Sequence, residues 1–335
     1  MSSNNDTFQT VRGAVCYNDS GYILPHEHTV VFPLDLPEES IAPIRDYFVP
    51  VYKRLVDEFD CRTIVEVTPR LICEPEGKHV LPESYRRNNT VLYKEICDAT
   101  GMNLVLCTGF YLKHTRPAYF FEKSVNALAD EMIRDVEIGI DDTGVRAGII
   151  KVAIGDFGPD DRKLLSAAAV AQKETGAAIT THTCSREHRF STLDYLEGAG
   201  VDPGRIYLGH ADANAEVAEM LSLAQRGCNL LLTIWGISNA KTIGWNRGPL
   251  PKHHSAYICR ALADEGYLDN VLVSVDADTE YLDHELFIRL YEVPERNSCF
   301  GFTFIKPELE NIGLSPAQVD HIMIKNPRKM LAMQK

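Results

Sequence analysis

The 335-residue sequence contains no C-x-x-C pair, no G-x-G-x-x-G or Walker loop, and no apolar run near the roughly 18 residues a membrane span needs. The nine cysteines form an odd set without paired spacing, which excludes a disulfide framework and a zinc ribbon. The first twelve residues, MSSNNDTFQTVR, lack the apolar core of a secretory signal. Basic residues are in deficit: 34 Lys and Arg stand against 47 Asp and Glu, a formal net charge of −13 that repels nucleic acid and anionic membrane. A soluble cytoplasmic protein is expected, acting on a small molecule and partnered by neither nucleic acid nor membrane. With 45% hydrophobic and 24% charged residues the chain can bury a large core, which excludes disorder.

Short β-branched and aliphatic runs recur, each followed by a polar turn and a helical pattern. Eight are counted: 22–25, 63–67, 103–108, 147–153, 177–181, 205–209, 228–233 and 271–275. Helical stretches lie between them, among them 44–59, 91–100, 123–136, 160–174 and 215–225. Alternation of this kind implies parallel pairing, and eight units close into a (β/α)8 TIM barrel. The rival, a doubly wound open sheet, would usually place a glycine-rich loop after its first strand, but here that strand runs into His-Glu-His. With no repeat and no Pro/Ser/Gly linker, residues 1–335 are expected to form one barrel domain.

Ionisable residues recur where these strands end. His26 and His28 follow the first, Lys151 lies in the fourth, His182 follows the fifth, His210 the sixth and Asp276 the eighth. On extended backbone His26 and His28 point to one face, where both imidazoles can reach one ion, while Glu27 points away. An isolated H-x-H reads more readily as a polar strand end with solvent-facing histidines, and a lone histidine at a strand end more readily as one capped by a backbone partner. A barrel changes that balance, because all its strand C-termini converge on one mouth.

Lys151 is set among Ile149, Ile150, Val152 and Ala153. Burial there disfavours the ammonium, and a neutral amine can take up carbon dioxide to form a carbamate able to bridge two divalent ions. The alternative is a lysine that extends to solvent. Two ions bring about +4, of which carbamate, Asp276 and a bridging hydroxide remove three, so the cluster stays positive and lowers the pKa of bridging water.

Over nearly its whole length the chain resembles the phosphotriesterase family of the amidohydrolase superfamily, including its lactonases. The resemblance rests on GYILPHEH, NLVLCTGFY, DVEIGIDDTGVRAGIIKVA, TTHT, GHAD, VLVSVDAD and KNPRKMLA. It implies that His26, His28 and Asp276 hold one ion, that His182 and His210 hold the other, and that carbamylated Lys151 bridges them. It further implies that bridging hydroxide attacks an ester, lactone or phosphoester centre, with Asp276 relaying the proton. Tyr111 matches an aromatic that contacts substrate or hydroxide. The family also implies a homodimer and two divalent ions, zinc foremost, with manganese, cobalt or iron accepted by the same ligands.

The chain departs from the family pattern in two places. Many acyl-homoserine lactonases carry an Asp-Arg pair near the end of strand seven, where this chain has Thr233, Ile234 and Trp235, the last assigned to the substrate. After His210 the acidic run is short, Ala211-Asp212-Ala213-Asn214.

From Met220 to Ala263 there is no Asp or Glu, where overall composition would place about six. Arg226, Lys241, Arg247, Lys252 and Arg260 lie in that stretch, and Lys241, Arg247 and Lys252 are assigned to an anionic group on the substrate. The other reading is a basic loop facing solvent or a second subunit. Aromatics beyond Asp276 (Tyr281, Phe287, Tyr291, Phe300, Phe302, Phe304) suit either a cap over the mouth or a helix's apolar stripe. The expected function is metal-dependent hydrolysis of a lactone or carboxylic ester, with phosphotriester or N-acyl amide hydrolysis behind it. A metal-binding barrel without turnover is the competing class, and the intact six-ligand set argues against it.

Overall fold

The computed structural model describes residues 7–29, 38–69, 85–235, 253–277 and 298–334. The strands among them are β1 (Thr7–Thr10), β2 (Gly13–Cys16), β3 (Tyr22–Glu27), β4 (Cys61–Glu66), β5 (Asn103–Phe110), β6 (Ile149–Ala153), β7 (Ala178–His182), β8 (Ile206–Gly209), β9 (Asn229–Leu232) and β10 (Val271–Val273). β3 to β10 pair in parallel in chain order as one eight-stranded sheet. First and last members meet at their C-terminal ends, where Asp276 N donates to His26 O at 3.2 Å and His28 N to Ala277 O at 2.8 Å. The architecture is the expected (β/α)8 barrel, and each of its eight strands overlaps a predicted run.

The principal helices between strands are α1 (Glu38–Phe59), α2 (Tyr85–Thr100), α3 (Ala118–Glu122), α4 (Val125–Glu137), α5 (Pro159–Thr175), α6 (Arg186–Gly198), α7 (Val217–Gln225) and α8 (His254–Asp264). Local chemistry sets several ends: Ser124 caps α4 by accepting from Ala127 N, Ser185 caps α6 by accepting from His188 N, and Gly176 ends α5 at φ +77°.

Strand alternation divides the buried apolar residues in two. Leu24, Ile64, Leu104, Ile150, Ile179, Leu208, Leu230 and Val273 face the helices. Ile23, Val65, Val105, Ile149, Ala178, Tyr207, Leu231 and Leu272 fill the interior. The β1–β2 hairpin, absent from the sequence reading, adds Phe8 to that interior cluster, and Val11 N donates to Leu104 O at 2.9 Å.

Parity then places the chemistry. Lys151 shares the inward side with Ile149, and His182 shares it with Ala178. On β3, outward Leu24 would turn His26 outward too, but the register shifts between Leu24 and Glu27. Such an irregularity re-aims the side chains beyond it. Two glycines let the strands close around this point. A Cβ on Gly109 would lie 2.0 Å from Lys151 O, and one on Gly209 would lie 2.1 Å from Thr181 O and 3.0 Å from His26 Cε1. Any larger residue at either position would push the sheet apart beside Lys151 or His26.

Candidate metal centre

The six predicted ligands come from five strand ends and meet at the barrel mouth. His26 Nε2 lies 3.1 Å from Lys151 Nζ and 3.5 Å from Asp276 Oδ1. His28 Nε2 is also 3.5 Å from Asp276 Oδ1, and His210 Nδ1 is 3.6 Å from Asp276 Oδ2. The His210 ring centroid is 4.8 Å from that of His26 and 4.6 Å from that of His182. His26 and Lys151 are fully buried, while the Asp276 side chain keeps 17% of its surface in solvent.

Backbone conformation delivers two of these side chains. His210 and Asp276 both stand at φ +56°. Left-handed conformation in non-glycine residues costs about 1 to 3 kcal/mol and persists only where surrounding structure holds it. Asp276 is held by Glu27, whose carboxylate accepts from Ser274 Oγ (2.6 Å), Val275 N (2.9 Å), Ala277 N (3.1 Å) and Ser298 Oγ (3.0 Å). Burial pushes the Glu27 carboxyl up to about 7 against the downward pull of those bonds. The loop beyond His210 is held by buried Asp212, which accepts from Thr233 N (3.0 Å), Ile234 N (2.9 Å) and Ser255 Oγ (2.6 Å).

The histidines share a pattern. His28 Nδ1 is 2.8 Å from Thr68 Oγ1, His182 Nδ1 is 3.2 Å from the Tyr111 hydroxyl, and His210 Nδ1 is 2.7 Å from Thr233 Oγ1. Where the ring donates Nδ1–H to such a hydroxyl, Nε2 keeps its lone pair. Burial, then the charge of Lys151, pushes His28 down to about 3, and the same causes with neighbouring imidazoles hold His26 well below its usual value. Both rings are therefore neutral, as a metal ligand must be.

Two groups bring ligand atoms within 4.8 Å of one another: His26 with His210 and Asp276, and His182 with Cys184 and His210. In addition, His26 Nδ1 is buried with no hydrogen-bond partner. Neutral imidazoles around a carboxylate make a donor set that fits zinc, manganese, cobalt or iron.

The assigned substrate residues divide. Tyr111 stands at the mouth beside His182, its carbonyl held by fully buried Arg116, whose guanidinium also reaches Ala153 O and Asp161 Oδ1. Trp235 is 4% exposed and gives its Nε1–H to Leu232 O at 3.1 Å, so its polar atom serves the fold. Lys241, Arg247 and Lys252 lie outside the described residues, as do Tyr281, Phe287 and Tyr291. Arg226 is engaged by Asp194 and Glu197, and Arg260 by Asp264. Phe300 and Phe302 are core residues, and Phe300 stacks on Phe304.

Sequence reasoning missed Thr68, Thr233 and Cys184. Only Cys184 carried a signal, its spacing of two from His182. The threonines serve histidines on other strands.

The phosphotriesterase family model matches residues 6–331. A phosphotriesterase homology protein of Escherichia coli (strain K12) is 28% identical over 323 residues, 93% of this chain and 98% of that protein. An aryldialkylphosphatase of Saccharolobus solfataricus is 29% identical over 324 residues, 94% and 96% of the two chains. An N-acetyltaurine hydrolase of Mus musculus is 28% identical over 251 residues, 72% and 68% of the two chains.

Proposed function

The chain belongs to the phosphotriesterase family, and from that premise we propose that it is a metal-dependent hydrolase opening a lactone or cleaving a carboxylic ester. The observation that carries the reading is the convergence of the imidazoles on one carboxylate: Nε2 of His26 and of His28 lies 3.5 Å, and Nδ1 of His210 3.6 Å, from Asp276 oxygens.

In this reading His26, His28 and Asp276 hold one divalent ion and His182 and His210 the other. Lys151, once its Nζ had bonded carbon dioxide with loss of a proton, would add carbamate oxygens to the donor set. When bound, the ions would supply Lewis acidity, lowering the pKa of a bound water and polarising the substrate carbonyl. Asp276 is placed to move the proton, because its carboxylate joins the buried imidazoles to the solvent-facing rim. Taking a proton at one oxygen and giving it to the leaving alkoxide is general acid–base work, worth typically about 10²- to 10⁴-fold in rate. The Tyr111 hydroxyl, at the mouth beside His182, orients a substrate oxygen.

A second reading is hydrolysis of an N-acyl amide bearing an anionic group. The acid-free stretch Met220 to Ala263, with Lys241, Arg247 and Lys252, favours it, as does similarity to proteins named N-acetyltaurine hydrolase. Metal analysis with a panel of lactones, esters, N-acyl amides and phosphotriesters tests both. Turnover of lactones or esters with two ions per chain is the expected result. Turnover confined to anionic N-acyl amides selects the second reading, and a metal-loaded protein inert to the whole panel overturns both.

A further inference from the structure

Cys184 has no place in the six-residue ligand set, yet it stands against it. Its Sγ lies 3.3 Å from His182 Nε2 and within 4.8 Å of the ligand nitrogen of His210. A tetrahedral zinc ion with Zn–N of about 2.0 Å and Zn–S of about 2.3 Å separates those two ligand atoms by about 3.5 Å. The observed separation, which a thiol–imidazole hydrogen bond also spans, is compatible with two atoms sharing one ion.

The surroundings fix the thiol there. Cys184 follows the end of β7 by two residues, and its Sγ turns back to the His182 ring. Between them, Thr183 is fully buried and tied to Gly209 O by both its amide (3.3 Å) and its hydroxyl (2.9 Å), and its carbonyl accepts from Arg189. Ser185, the next residue, caps α6. With both neighbours anchored, the Cys184 backbone is held beside the mouth. On the histidine side, Nδ1 of His182 lies 3.2 Å from the Tyr111 hydroxyl and Nε2 lies on the Cys184 side.

We propose that Cys184 is a third protein ligand, through Sγ, of the ion held by His182 and His210, and that it makes this half of the centre select thiophilic ions such as zinc or cobalt over manganese. The inference rests on the two-ion reading above. On binding, the S–H bond breaks, sulfur bonds to the ion and the proton passes to solvent. The two halves then differ in kind. His26, His28 and Asp276 present nitrogen and carboxylate oxygen, which manganese accepts, whereas a thiolate discriminates against it.

Titration of the metal-free protein with cobalt(II), followed by absorbance, tests the assignment without reference to activity. Expected are two bound cobalt ions and a near-ultraviolet thiolate-to-cobalt charge-transfer band, with the band lost in Cys184→Ser. The same variant should bind zinc at one of its two sites more than about 100-fold more weakly, beyond the roughly 10- to 100-fold effect of outer-shell partners. Its zinc-over-manganese preference should fall in parallel. Two cobalt ions bound to the wild-type chain without that band overturn the proposal alone, and this needs no variant to fold. A band that persists in Cys184→Ser also overturns it. Failure to bind cobalt at all overturns it together with the two-ion reading.

Discussion

Glu27 holds Asp276 from behind. The amides on either side of Asp276, those of Val275 and Ala277, both donate to the Glu27 carboxylate, at 2.9 and 3.1 Å. Between His26 and His28, which face the mouth, Glu27 faces away and therefore sets the backbone that presents the Asp276 carboxylate. It also ties the first barrel strand to the last. Glu27→Gln places an NH₂ among donors and leaves at least one of them unsatisfied. It is expected to cost about 2 to 4 kcal/mol of stability. By displacing Asp276 it should also lower kcat about 10- to 100-fold. Denaturant unfolding alongside kinetics checks both, and a variant unchanged in either would remove the role.

Thr233 supports His210 through its hydroxyl and is itself held through its amide by Asp212. Thr233→Val keeps the shape and deletes the hydroxyl. Metal affinity should fall about 10- to 100-fold as His210 loses its tautomer control, and Thr233→Ser should restore it. Calorimetric zinc titration reads the difference. Equal affinity in all three proteins would mean that the hydroxyl merely fills space.

Asp276→Asn retains the shape of the side chain and loses the base. We expect kcat/KM to drop about 10²- to 10⁴-fold, with unfolding free energy changed by less than about 1 kcal/mol. A variant within tenfold of wild type would assign proton transfer to another group.

Glu66 predicts a pH dependence of stability. Burial pushes its carboxyl from 4.5 up to about 8, outweighing hydrogen bonds to Thr68 that pull it down. The folded state therefore binds the proton more tightly than the unfolded state, and the unfolded chain binds fewer protons between the two values. Stability from this residue is fully present below about pH 4.5 and is lost as pH rises toward 8, by up to about 1.4 kcal/mol per pH unit. Glu66→Gln should flatten the curve over this window relative to wild type. Parallel pH profiles for the two proteins would overturn the assignment.

Much of the fold was legible because strands of a parallel barrel are buried on both faces and read as apolar runs, as in Asn103–Phe110 and Ile149–Ala153. The β1–β2 hairpin escaped because Thr7–Thr10 and Gly13–Cys16 are short and partly polar, and only Phe8 enters the interior cluster. That the Trp235 indole N–H has a carbonyl partner, Leu232 O, was not legible, because position along a chain does not report it. The ion pairs of Arg226 and Arg260 were not legible for the same reason, since their partners Asp194, Glu197 and Asp264 lie outside the acid-free stretch.

The identity and spacing of His26, His28, Lys151, His182, His210 and Asp276 were determined by the sequence, because metal-ligand chemistry belongs to side-chain type and alternation belongs to strand period. Their meeting belongs to the barrel. So do the Thr68, Tyr111 and Thr233 hydroxyls that choose each ring nitrogen, the Glu27 clasp behind Asp276 and the approach of Cys184 to His182. Each of these depends on tertiary closure or on local backbone direction, and His210 and Asp276 enter a left-handed conformation that no residue type announced. Hydrogen bonding is short-ranged and directional, so partners from separate strands become definite only when the cylinder closes and puts them within about 3 Å of one another.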